Sequence, residues 1–129
     1  MIVVDSSVWI ANLRNSDSEA VQKLRGLSNP REIIVGDIVL LEVLQGSRDE
    51  RHAAAIEQYL RQFEIRPMFG ENIAVLAARN YRRLREQGVT IRKTADLIIG
   101  TFCIEGGHAL LHEDKDFDAM ALGLGLAVY

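Results

Sequence analysis

The chain has 129 residues, 48% of them hydrophobic and 26% charged, with a net charge of −3. That length suits one domain, residues 1–129, with a real hydrophobic core. The charge excludes a generally basic nucleic-acid binder, although local clusters can hide in a total. One cysteine, Cys103, excludes an internal disulfide, and with only three scattered histidines it offers no zinc-ligand spacing. No apolar run approaches the ~18 residues of a transmembrane helix. No basic segment precedes the first apolar residues, so no signal peptide is expected, and the lone thiol fits a reducing cytoplasm.

In chain order, Ile2-Val3-Val4 reads as a short buried strand with Asp5 immediately after it. Ser6 and Ser7 offer caps for a helix over 8–13 that carries Trp9, Ile10 and Leu13. A second helix over 19–27 places Val21, Leu24 and Leu27 at helical spacing and stops at Asn29-Pro30. Ile33-Ile34-Val35 make a second strand within 32–35. Asp37 is a cap for a helix over 38–45, which Gly46 ends. A helix from Asp49 or Glu50 to about Phe63 follows, then a strand over 65–68 in which Pro67 points to a sheet edge or a strand end. The longest helix runs from Glu71 to Gln87, with Ile73, Leu76, Ala77, Tyr81 and Leu84 on one side and Arg79, Arg82, Arg83 and Arg85 on another. Thr94 is expected to cap a helix over 95–105 that Gly106-Gly107 ends. A strand over 109–112, a short helix over 116–122 and a final strand over 126–129 complete the chain.

Apolar strands alternating with helices predict an α/β fold, with a parallel sheet of four to five strands covered on both faces. Right-handed crossovers bring helix N-termini to the carboxyl edge of such a sheet, where open α/β folds place their sites. Asp5 and Asp114 follow strands and so emerge at that edge, as does Asp116. Glu42 lies about a turn into a helix that starts there, embedded in Val39-Leu40-Leu41 and Val43-Leu44. Asp96 lies in the first turn of another such helix, followed by Leu97-Ile98-Ile99.

Taken singly, Asp5, Asp96, Asp114 and Asp116 can each be a cap or a turn residue. Asp17, Asp37, Asp49 and Asp118 read the same way, and His112 reads as packing. Glu42 has no capping role in its apolar run. Together the acids would repel by about 3 kcal/mol per pair at ~6 Å and an effective dielectric of about 20. Helix dipoles recover only ~0.3–1 kcal/mol each. An all-oxygen cluster of this kind suits Mg²⁺ or Mn²⁺, and such ions suit phosphodiester or phosphoryl chemistry. Ser6, Ser7 and Thr94 would cap helices and orient neighbouring carboxylates.

Val4-Asp5-Ser6-Ser7-Val8-Trp9-Ile10, Leu41-Glu42-Val43-Leu44-Gln45-Gly46, Thr94-Ala95-Asp96-Leu97-Ile98-Ile99 and Leu111-His112-Glu113-Asp114-Lys115-Asp116-Phe117 together resemble the PIN domain. Within it they are most similar to the VapC-type ribonuclease toxins of bacterial toxin–antitoxin pairs. The similarity spans essentially the whole chain in the family's order. It implies a three-layer α/β/α PIN-like fold and a Mg²⁺- or Mn²⁺-dependent endoribonuclease. Asp5, Asp96 and Asp114 would then hold metal, Glu42 would complete the catalytic quartet, and Asp116 would support it. It also implies a cognate antitoxin, a homodimer, and transfer or ribosomal RNA as substrate. Glu113 departs from the pattern by adding charge beside Asp114.

An acidic rim needs basic residues nearby to receive RNA. Arg79, Arg82, Arg83, Arg85, Arg92 and Lys93 are the candidates, with a solvated helix face as the plain alternative. The small number of aromatic residues points to recognition of RNA shape more than of stacked bases. Two other readings stay open. A receiver-like or dehalogenase-like phosphoryl-transfer domain would need an acid after the 65–68 strand or at position 7, where Ser7 stands. A catalytically silent module would use its acids only to bind a partner's arginines.

Overall fold

The computed structural model describes all 129 residues, Met1–Tyr129. Four strands form one sheet: β1 (Ile2–Val4), β2 (Ile33–Gly36), β3 (Glu64–Arg66) and β4 (Ala109–Leu111). The order across the sheet is β3-β2-β1-β4 and every pairing is parallel. Seven helices connect them: α1 (Ser6–Leu13), α2 (Glu19–Gly26), α3 (Asp37–Gln45), α4 (Glu50–Leu60), α5 (Glu71–Glu86), α6 (Thr94–Gly106) and α7 (Lys115–Leu124). A single 3-10 turn, Pro30–Glu32, leads into β2.

Helices α1, α2, α3 and α4 pack on one another, and α5, α6 and α7 form a second group. The connection direction explains this. From β1 the chain steps to β2 and then β3, always the same way, so right-handed crossovers leave α1–α4 on one face. The return from β3 to β4 crosses to the other side of β1 and lays α5 and α6 on the opposite face. The result is a three-layer α/β/α fold. Its strand order reverses between β1 and β4, and a crevice opens at the carboxyl ends of those two strands.

The core follows from this layering. Val3, Val4, Ile34, Val35 and Leu110 are sealed from both faces, as an all-parallel sheet requires. Trp9 is fully buried and packs against Tyr59 and Phe63 at ring-centroid distances of 6.0 and 5.1 Å. Met68 crosses over the end of β2 so closely that a Cβ on Gly36 would lie 2.0 Å from its sulfur. The chain turns from α6 to β4 at Gly107, in the left-handed region with φ 68°.

Several local expectations are revised. The first helix begins at Ser6 rather than at residue 8, because Asp5 itself is the N-cap and accepts from the Ser7 amide. Aspartate caps as well as serine does, so the cap falls on Asp5, ahead of both serines. Thr94 does not cap α6. The Lys93 carbonyl accepts from the Asp96 and Leu97 amides at 3.1 and 3.3 Å, which makes Lys93 the N-cap residue and Thr94 the first helical one. Asp37 is likewise inside its helix; its Oδ1 accepts from the Ile38 and Met68 amides, both at 2.9 Å, and so pins the segment after β3. Asp114, not Asp116, caps α7. The final strand shrinks to one parallel bridge, Leu110 with Val128, beyond β4. Asp49 does cap α4, through the His52 amide; the strand expected over 65–68 is instead β3, an edge strand that ends at Arg66 just before Pro67.

Candidate active site

Asp5, Glu42, Asp96 and Asp114 line one open pocket of about 290 Å³ at the carboxyl edge, together with Ser6, Ser7, Gln45 and Lys93. Ile10 is its only hydrophobic wall. Four separate elements deliver the acids. Asp5 leaves β1 at the centre of the sheet. Glu42 reaches over from the second turn of α3, Asp96 from the first turn of α6, and Asp114 from the cap of α7.

Asp5 is held hard. Its Oδ2 accepts from the Ser7 amide at 3.1 Å and the Ser7 hydroxyl at 2.6 Å. Its Oδ1 is buried with no hydrogen-bond partner. Ser6 donates its hydroxyl to Glu42 Oε1 at 3.1 Å, which ties α1 to α3. Both serines thus orient carboxylates, and Ser7 also accepts from the Glu113 amide at 3.2 Å.

The other half of the pocket is arranged differently. Single carboxylate oxygens of Asp96, Asp114 and Asp116 lie within 4.8 Å of one another. Asp114 Oδ1 accepts from the Asp116 amide at 2.9 Å, and its own amide donates to His112 Nδ1 at 3.1 Å. Lys93 Nζ stands 3.6 Å from Asp114 Oδ2. Asp96 Oδ2 is buried without a partner. His112 does not face the pocket; it packs on Phe117 with its Nε2 3.6 Å from Asp118. Glu113 does not add its charge to the pocket as expected. Its carboxylate accepts from the Ser18 hydroxyl instead, while its amide donates to the Ser7 hydroxyl.

The electrostatics record the crowding. Burial pushes the Asp96 carboxyl up to about 7, with Asp5, Asp114 and Glu42 adding to the shift and Lys93 opposing it. Burial also raises Asp5, against the hydrogen bonds from Ser7. It raises Glu42 too, against the bond from Ser6 and with a push from Asp5. Lys93 is raised by Asp96 and Asp114. Buried carboxylates with unpartnered oxygens are costly unless something compensates them. The donors present are all oxygens, with no cysteine or histidine among them, which fits a hard divalent cation. Two observations therefore support a fit for such an ion: the orphaned Oδ1 of Asp5 and Oδ2 of Asp96, and the 4.8 Å convergence of Asp96, Asp114 and Asp116.

Among the predicted basic residues, only Lys93 lines the pocket. Arg92 is exposed beside it, and Arg79, Arg82, Arg83 and Arg85 are exposed on α5 without facing the acids. The Asn80–Thr101 hydrogen bond, 3.0 Å, joins α5 to α6, and residues 87–93, which turn at Gly88 (φ 82°), lead from the end of α5 to the start of α6. The last turn of α5 is thereby at the same edge as Asp96. Gln45 and Ile10 were missed in the sequence. The signal was present: Gln45 is three residues after Glu42 on one helix face, and Ile10 is four after Ser6.

Fold and site together are an open parallel α/β sheet with a cluster of carboxylates at its switch point. The chain belongs to the PIN domain family, whose model matches residues 2–122. It is 29% identical to ribonuclease VapC11 of Mycobacterium tuberculosis over 94% of this chain and 92% of that protein. In fold it is similar to the crystal structure of VapBC2 from Rickettsia felis bound to a promoter DNA fragment. There the TM-score is 0.79 at 18% identity, covering 100% of this chain and 98% of that one. The crystal structure of FitAcB from Neisseria gonorrhoeae gives 0.77 at 21% identity, covering 100% of this chain and 96% of that one. No helix is long and apolar enough to cross a membrane.

Proposed function

We propose that this chain is a metal-dependent endoribonuclease of the VapC type, one PIN domain over residues 1–129. In this reading it is the toxin of a toxin–antitoxin pair, works as a homodimer in the cytoplasm, cuts transfer or ribosomal RNA, and is held inactive by a cognate antitoxin. One observation carries the nuclease reading: four carboxylates from four elements line one pocket, and two of them keep buried oxygens without a partner. The likeness to VapC11, a ribonuclease by name, gives the reaction class.

Asp5, Asp96 and Asp114 would hold Mg²⁺ or Mn²⁺, with Asp116 as a further oxygen donor. When bound, such an ion polarises the phosphate and lowers the pKa of a coordinated water. The residues of the chain do the rest. Ser7 and burial fix where Asp5 points. Ser6 holds Glu42 where it can orient the water that attacks phosphorus. That water's oxygen would form the new P–O bond as the bond to the leaving ribose oxygen breaks, its proton passing to solvent and the leaving oxygen taking one up. Lys93, raised by its acidic neighbours, stays charged and draws the phosphate in against the negative rim.

Asp5→Asn tests the assignment. It removes one charge without removing the helix cap's shape, since asparagine also caps. RNA cleavage by the purified variant with Mn²⁺ should fall at least about 1,000-fold, the order expected for a lost catalytic group, with the fold intact by circular dichroism. Undiminished cleavage sinks the assignment. A chain that binds a partner but never cuts RNA, with or without Mn²⁺, is the silent binding module instead.

A further inference from the structure

A second pocket adjoins the acidic one. It is about 280 Å³ and lies between the end of α1 and the α3–α4 turn. Ile10 lines both pockets, and Gln45 and Gly46 continue the wall from one to the other. Its floor is apolar, with Leu13, Val43 and Ile56, and its rim carries Arg14, Arg48 and His52. Arg14 and Arg48 are exposed, and neither forms an ion pair. His52 Nδ1 accepts from the Arg48 amide at 3.1 Å. Neutral His52 therefore carries its proton on Nε2 and has that N–H to donate. Arg14 is one helical turn beyond Ile10, at the far end of the helix whose start is capped by Asp5.

We propose that single-stranded RNA leaving the acidic pocket crosses Ile10 into this notch, where Arg14 and Arg48 take backbone phosphates and the apolar floor takes an unstacked base. The proposal rests on the nuclease reading above and adds the path of the strand over the surface. Charge complementarity favours it. Unpaired guanidiniums beside a carboxylate cluster match a polyanion whose scissile phosphate sits among those carboxylates. A base out of its stack needs an apolar surface, and base stacking on side chains is how unpaired RNA is usually held. The notch supplies one without aromatic residues. A duplex cannot place a base there, so loops and unpaired ends become the substrates.

The experiment uses the full chain and two readouts. The first is KM and kcat for a single-stranded oligoribonucleotide with Mn²⁺. The second is fluorescence anisotropy of a labelled oligoribonucleotide with the Asp5→Asn chain, which binds without consuming it. Arg14→Ala/Arg48→Ala should raise KM about tenfold or more with kcat nearly unchanged. It should weaken binding to match and reduce the salt slope of log K by about 1.4, about 0.7 for each lost phosphate contact to a single strand. Arg14→Lys/Arg48→Lys should restore the slope. Arg82→Ala/Arg83→Ala on α5 should change binding less. Unchanged KM and affinity in an enzyme that still cuts RNA overturns the notch and leaves the nuclease reading standing. A variant that keeps RNA affinity but loses a purified protein partner makes the notch a protein-docking face and also overturns it. If the wild-type chain cuts no RNA while anisotropy still falls in the variant, the nuclease reading fails and the notch stands as an RNA site.

Discussion

The two halves of the acidic pocket are built on opposite principles. On the α1–α3 side each carboxylate has a hydroxyl partner: Ser7 for Asp5 and Ser6 for Glu42. Those partners come from consecutive residues of α1, so the geometry is set by backbone before any ligand arrives. On the α6–α7 side Asp96, Asp114 and Asp116 face one another within 4.8 Å, and the only cation among them is Lys93. The first half is preorganised by hydroxyls, while the second holds a carboxyl pushed up by burial and then by repulsion from Asp5 and Asp114, a penalty that a divalent ion would relieve. In the nuclease reading the two sides would divide the work, one aiming the carboxylates and the other supplying the affinity for charge.

Breaking the repulsive half should give the largest effect, and in two directions. Asp96→Asn should abolish most RNA cleavage, by about 1,000-fold or more. The same variant should be more stable than the parent without metal at neutral pH. The sign follows from the raised carboxyl. Asp96 goes from an ordinary value of 3.8 to about 7 on folding. Its protonated form therefore supports the fold fully below about 4, and that support is lost as pH rises through 7. A tenfold change in proton affinity between the folded and unfolded chain is worth about 1.4 kcal/mol. Denaturant melts of the metal-free protein between pH 4 and 8 should show stability falling with pH, and Asp96→Asn should flatten the curve. An equally steep curve in the variant would place the repulsion elsewhere.

Adding the ion should undo the same penalty. Mn²⁺ or Mg²⁺ at about 100 times its Kd should stabilise the fold by about 2.7 kcal/mol, read as a rise in melting temperature. Asp96→Asn should lose most of that rise. A melting temperature that ignores both ions would contradict the comparison between the halves.

Loosening the preorganised half should be the mildest change. Ser7→Ala removes a hydroxyl bond to a buried carboxylate, a contact worth about 1.5–3 kcal/mol when the acceptor is charged. Cleavage should drop roughly tenfold to a hundredfold with metal-induced stabilisation largely retained. Ser6→Ala should cost less, since Glu42 is only half-buried. Loss of metal response in Ser7→Ala would show that the two halves are coupled rather than divided.

Much of this was legible in the residues. Ile2-Val3-Val4, Ile33-Ile34-Val35 and Ala109-Leu110-Leu111 announce buried parallel strands through continuous apolar character, and the helices between them announce the crossovers. Periodicity also put Glu42 within an apolar helical run, where a carboxylate has no capping role. Cap positions were less legible. Asp5, Ser6 and Ser7 are all good caps, and composition cannot say which amide each side chain will accept from. The same holds at Asp114 and Asp116, where the backbone entry angle chose the earlier residue.

What the sequence determined by itself was the set of acids and the edge they share, because strand and helix order fix which ends of the elements face together. Only the tertiary structure decided which acids touch. It brought Asp116 into the close oxygen trio with Asp96 and Asp114, and turned Glu113 away to Ser18. It drew Lys93 to Asp114 and joined Ile10 and Gln45 to the pocket wall. These outcomes depend on side-chain distances across elements far apart in the chain, and such distances are set by packing of the two helical layers on the sheet rather than by any local pattern.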